Sequence, residues 1–142
     1  PLGFTFIDDK QRLARDLLEV RFMIEPQMAR MAAEHATNDQ VVCIEELCDE
    51  SERLAEADVV ATFMPSTPGN LVVPRLMGVL KASVPLFIDV TGKKLVEETI
   101  RTHRDVADAI ASRNPTAAHD AMYLHLVYNR NMIAEGAEAK GI

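Results

Sequence analysis

The chain has two cysteines, Cys43 and Cys48, among its 142 residues, too few for a disulfide framework. Their five-residue spacing is neither a zinc pair nor a redox C-x-x-C, so they read as buried or half-buried thiols on one helix. No apolar run approaches the roughly 20 residues that a membrane span requires. The opening Pro1-Leu2-Gly3-Phe4 lacks the basic-then-apolar layout of a secretory signal, and the expected location is the cytoplasm. Cationic surface is also scarce. Fifteen Lys and Arg face 22 Asp and Glu, a net charge of −7, and the summed field repels phosphate backbones. Direct nucleic-acid binding by this chain is therefore not expected. There is no G-x-G-x-x-G turn, no P-loop and no nucleophile elbow, which leaves nucleotide-triphosphatase and hydrolase readings unsupported.

Six glycines and seven prolines are thinly scattered except between residues 65 and 74, and long stretches of helix formers remain. The expectation is an all-α fold, an antiparallel bundle of about six to seven helices, forming one domain over residues 1–142. Leu13, Leu17, Leu18 and Val20 recur at helical spacing from Asp8 to Arg21. Glu25-Pro26 then marks a boundary or a first-turn proline, with a short second helix from Gln27 to His35. Thr37 and Gln40 form a capping-box pair, and Val41, Ile44, Leu47, Cys48 and Leu54 carry an apolar stripe to about Ala57. The stretches 58–64 and 85–90 are β-branched, but with no other strand partners in the chain both flanks of the 65–69 loop read as helix. Near the end, Val96, Ile100, Val106 and Ile110 share one helix face. Asn114-Pro115 supplies a cap and a first-turn proline for a final helix to about Glu135, after which the tail is expected to fray.

The four histidines separate by helical phase. His103 shares a face with Val96, Ile100, Ala107 and Ile110, and His125 is in register with Ala118, Met122, Asn129 and Met132, so both point inward. On consecutive helices joined by a short connection they should meet in the core, either around a shared ligand or ion or as core histidines bonded to carbonyls or carboxylates. His35 and His119 read as surface residues. Arg21 falls beside Leu17, Leu18 and Glu25, where it is either a salt-bridged edge residue or an anion anchor.

Two resemblances bear on function. The segment 57–68 resembles a strand-and-loop piece of the 2-hydroxy-acid dehydrogenases, but without the glycine-rich turn or the length for a nucleotide fold. More specific is Asp16-Leu-Leu-Glu-Val-Arg-Phe-Met-Ile-Glu-Pro-Gln-Met-Ala-Arg-Met-Ala-Ala-Glu-His-Ala-Thr37. It resembles the opening helices of the FadR-type C-terminal (FCD) domain of GntR-family transcription regulators. His103-Arg-Asp-Val-Ala-Asp-Ala-Ile110, followed by Asn114-Pro-Thr-Ala-Ala118 and His125-Leu126, is similar to that family's two closing helices.

The resemblance implies a non-enzymatic, dimeric bundle that binds a small organic-acid effector and controls DNA binding through an N-terminal winged helix-turn-helix not present in this chain. It also implies a divalent metal, zinc, nickel or manganese, held in the family by one aspartate and three histidines. Two of these histidines correspond to His103 and His125, and the nearest aspartate is Asp58, but Thr62 stands where the first histidine should be. An ungapped register would instead put Ala57 and Ala61 at both positions. The choice is between a three-ligand site of Asp58, His103 and His125 and a metal-free pocket in which the histidines meet the effector directly. By the same resemblance Arg21 anchors an effector carboxylate, with Thr62 and Asn129 as pocket neighbours. Alternatives of other classes are a helical metal-dependent enzyme and a ligand-free interaction module.

Overall fold

The computed structural model describes residues 9–54, 86 and 93–139. Four long helices dominate them: α1 (Lys10–His35), α2 (Asn38–Leu54), α3 (Lys93–Ala111) and α4 (Pro115–Ala139). No strand occurs among the described residues, in line with the all-α expectation. The two β-branched stretches and the 65–69 loop lie outside them, apart from Leu86, as do the further helices of the expected six or seven. No helix among the described residues is long and apolar enough to cross a membrane.

The starts of α1, α2 and α4 are each set by a side chain that satisfies an orphan backbone donor. Asp9 Oδ1 accepts from Arg12 N at 3.0 Å to open α1. At α2 the capping box closes reciprocally: Gln40 N donates to Thr37 Oγ1 at 3.2 Å and Thr37 N to Gln40 Oε1 at 2.8 Å. Asn114 Oδ1 accepts from Ala117 N at 3.1 Å and opens α4. The α3 terminus carries a paired-bond stop: Asn114 N donates to Ala109 O and Arg113 N to Ile110 O, with Arg113 at φ 57°. A non-glycine residue in this left-handed region costs about 1–2 kcal/mol. Glycine could not, however, supply the Arg113 guanidinium, which donates to Ala36 O and Asn38 Oδ1 and ties the α3–α4 turn to the α1–α2 junction.

Three local expectations are corrected. Pro26 neither ends α1 nor starts a second helix; α1 runs through it to His35. The inward stripe of Leu17, Leu18, Arg21, Glu25, Met28, Ala29, Ala32 and Ala33 stays in helical phase across the proline, and packing on both sides holds the helix through the lost hydrogen bond. The chain does not leave the helix at Glu135, because α4 continues to Ala139. Cys43 is exposed while Cys48 is buried, since five residues at 100° each place them about 140° apart around α2.

α1 runs antiparallel to α4, and α2 to α3. Ala36, at the end of α1, meets Arg113 just before α4, whereas Gln11, in its first turn, lies by Ile133 and Ala134 in the last turns of α4. Arg104 of α3 pairs with Glu45 at 2.9 Å and with Asp49, and Cys48 Sγ contacts His103 O at 3.8 Å, which fixes α2 along α3. Two apolar clusters result. One gathers Met28, Ala29, Ala32 and Ala33 with Ile44, Cys48, Val106, Ile110, Ala118 and Met122. The other gathers Ala14, Leu17 and Leu18 with Leu86, Leu126, Met132 and Ile133. Between them, on α1, α3 and α4, lie buried polar groups.

The cap at α2 gives a direct check on this architecture. Thr37→Ala should destabilise the fold by about 1 kcal/mol, read as a lower urea midpoint at unchanged m-value. An unchanged midpoint would contradict the assigned capping box.

Candidate functional site

The polar layer consists of Arg21 and Glu25 from α1, Thr102 and His103 from α3, and His125 and Asn129 from α4, all buried and none more than 6% exposed. Helical geometry places them there. Arg21 and Glu25 are one turn apart, as are His125 and Asn129, so each pair shares a face. Thr102 and His103 precede Val106 by four and three residues and lie one turn from that buried core residue.

Arg21 and Glu25 form a two-bond ion pair, with Nε donating to Oε1 at 3.0 Å and Nη2 to Oε2 at 3.2 Å. Planar guanidinium and carboxylate groups match in this way, which partly offsets the desolvation of two buried charges. The sequence left Arg21 as an edge ion pair or an anion anchor; it is ion-paired, and in the interior rather than at an edge.

The imidazoles of His103 and His125 meet with ring centroids 4.7 Å apart and planes inclined at 38°. Thr102 Oγ1 donates to Glu98 O at 2.8 Å, using its one proton, and lies 2.6 Å from His125 Nδ1. His125 Nδ1–H is therefore the donor to Thr102. Its Nε2 then carries the lone pair and accepts from Asn129 Nδ2 at 3.4 Å. Asn129 Oδ1 is buried without a hydrogen-bond partner.

Both rings are held neutral. Burial, and then the Arg21 cation, push His103 down to about 3. His125 lies well below the usual histidine value through burial, then the neighbouring His103, then Arg21. That guanidinium therefore acts electrostatically on both imidazoles.

Arg21, His103, His125 and Asn129, singled out from the sequence, are thus brought into one layer, whereas Asp58 and Thr62 lie outside the described residues. His35 is exposed and His119 half-buried beside Asp120, away from the layer. Sequence reasoning missed Glu25 and Thr102 as members. The signals were there: an opposite charge four residues after Arg21, and a hydroxyl one turn before Val106.

The metal expected from the resemblance needs a third donor. Among the described residues no group of three or more His, Cys, Asp or Glu side chains could hold an ion. Arg21 also sets a positive charge near both rings, which opposes a dication there. Two imidazoles beside a guanidinium do not by themselves make a metal centre.

The FCD domain family model matches residues 16–64, which include Arg21 and Glu25. A solved structure of a Streptococcus agalactiae GntR protein aligns with 92% of the chain at 30% identity and a TM-score of 0.73. The chain spans 65% of the length of that protein. No curated protein sequence matches significantly.

Neutral buried imidazoles make the fold acid-labile. An unfolded histidine takes up a proton near pH 6.5, whereas these two do so only at much lower pH. Below 6.5 the unfolded chain binds more protons, so stability is complete above that pH and falls as the pH drops toward the folded-state values. Between pH 6.5 and 5, before most carboxylates titrate, the loss should be on the order of 1–2 kcal/mol per histidine. Urea midpoints should show it in the wild type and about half of it in His103→Asn. A midpoint unchanged between pH 7 and 5 would contradict the burial of neutral rings.

Proposed function

The chain carries an FCD domain of the kind found in GntR-type transcription regulators, and we propose that its buried polar layer binds the carboxylate of a small organic acid. In this reading residues 1–142 are the effector-binding and dimerisation domain of a FadR-type regulator. It acts in the cytoplasm on DNA through a winged-helix domain outside this sequence.

One observation carries the proposal: a guanidinium, two uncharged imidazoles and an amide with an unpartnered oxygen share one dry layer between two apolar clusters. An effector carboxylate would have to share the Arg21 guanidinium with Glu25, and the charge-assisted hydrogen bonds it gains are strengthened by the low local dielectric. The neutral rings accept or donate hydrogen bonds without adding a charge that must be desolvated. A hydroxyl on the effector would satisfy Asn129 Oδ1. Thr62, by the family resemblance, completes the pocket.

Because the layer draws on α1, α3 and α4, an effector that binds one relative placement of these helices more tightly than another shifts the population between them. In a homodimer that shift would change the spacing of two DNA-reading heads. The family is one of regulators, which supports a ligand-sensing role over the alternative of a metal-dependent enzyme. A ligand-free interaction module remains distinguishable, because in it His103→Asn would alter stability alone.

A second reading adds Asp58 to His103 and His125 around zinc, nickel or manganese. It is favoured by the neutral state of both rings, the form in which imidazole ligates a metal. Elemental mass spectrometry before and after chelation separates the two: near-stoichiometric metal, lost in His103→Ala/His125→Ala, would establish the second.

For the direct-binding reading, the chelated chain is screened against short mono- and dicarboxylates by thermal shift and calorimetry. At least one acid should bind saturably, and His103→Asn and Asn129→Ala should weaken it at least about tenfold, the loss of one or two good hydrogen bonds. Binding that appears only after metal is restored, or is indifferent to both substitutions, would overturn it.

A further inference from the structure

Within the buried layer Thr102 supplies the hydroxyl, 3% exposed on α3. A threonine in a helix readily bonds to the carbonyl one turn back, and Thr102 Oγ1 does so with Glu98 O at 2.8 Å. That bond takes the single proton the hydroxyl has. Oγ1 is left with lone pairs alone to offer His125 Nδ1, 2.6 Å away.

The effect passes from one side chain to the next. His125 is fully buried and uncharged, so its ring carries one proton, on one nitrogen or the other. Two lone pairs facing each other at 2.6 Å repel, and the proton therefore sits on Nδ1. An unconstrained histidine ring in water favours the other tautomer, so this one needs a dedicated acceptor, which Thr102 is. Nε2 is left as an acceptor, and Asn129, one turn along α4, turns its Nδ2 toward it at 3.4 Å. The other pole of the amide, Oδ1, is then the buried atom without a partner. With the ring proton on Nε2, the amide would lie the other way round.

We propose that Thr102 is a positioning residue, which fixes the tautomer of His125 and, through the ring, the direction in which the Asn129 amide lies. Three side chains thereby form one directional chain of hydrogen bonds from α3 to α4. The chain is tuned to a single placement of the two helices. A shift of α3 against α4 of the kind the proposed effector response requires lengthens the contact between Nδ1 and Oγ1 and frees the ring to take its other tautomer. This regulatory consequence rests on the effector-binding reading, whereas the positioning role does not.

The test is the tautomer itself, read from the imidazole 15N signals of the full 142-residue chain at neutral pH. In the wild type and in Thr102→Ser, which keeps the hydroxyl, the proton should be on Nδ1. Thr102→Val keeps the shape without the acceptor, and should move the proton to Nε2 and shift the side-chain amide signal of Asn129. Asn129→Leu removes the amide and leaves Thr102 in place, so the proton should stay on Nδ1. A purely structural role for Thr102 would lower the unfolding midpoint of Thr102→Val without moving the proton. A proton on Nε2 in the wild type, in Thr102→Ser or in Asn129→Leu overturns the inference, as does a proton retained on Nδ1 in Thr102→Val. If Thr102→Val does not fold, Thr102→Ser and Asn129→Leu decide between control by the hydroxyl and control by the amide. No acid is added in these measurements, so their failure is distinct from failure of the carboxylate-binding reading, which the acid screen decides.

Discussion

A guanidinium–carboxylate pair inside a helical bundle is the constraint around which the other features fall into place. Removing two charges from water costs several kcal/mol per ion, and only close two-bond geometry with neighbouring hydrogen bonds offsets it. Arg21 and Glu25 have that geometry because they lie one turn apart on α1. Burial, and after it the Arg21 cation, keeps both imidazoles neutral. Neutral rings in turn need hydrogen-bond partners instead of counter-ions, which Thr102 and Asn129 provide for His125. The apolar clusters on either side exclude water from the layer and keep the local dielectric low.

Much of the architecture was legible locally. Caps at Thr37 and Asn114 were visible because a short polar side chain at a fixed offset from the helix start has one main use. The inward phases of His103 and His125 followed from 3.6-residue periodicity, and the short turn between their helices brought them together. Pro26 was misread because a proline's local cost is visible in sequence, while the packing that overrides it along α1 is not. The end of α4 was set short for a similar reason: the small and acidic letters after Glu135 give no apolar stripe, yet a helix already formed extends cheaply.

The site was half legible. His103, His125 and Asn129 sit at positions that periodicity and family resemblance both mark, whereas Arg21 was marked by the resemblance and left open by periodicity. Glu25 was noticed only as a neighbour, because a surface i,i+4 pair and a buried one look alike in sequence. Thr102 escaped because its role depends on a ring contributed from a different helix, 23 residues away.

The protonation of the two core histidines is the most direct test, and long-range 1H–15N NMR of the imidazole nitrogens reads it atom by atom. Both rings should be neutral at pH 5, where a free histidine is almost fully protonated, and His125 should carry its proton on Nδ1 facing Thr102. An imidazolium at either position, or a ring titrating near pH 6.5, would contradict the dry layer and undercut the carboxylate-binding role proposed for it.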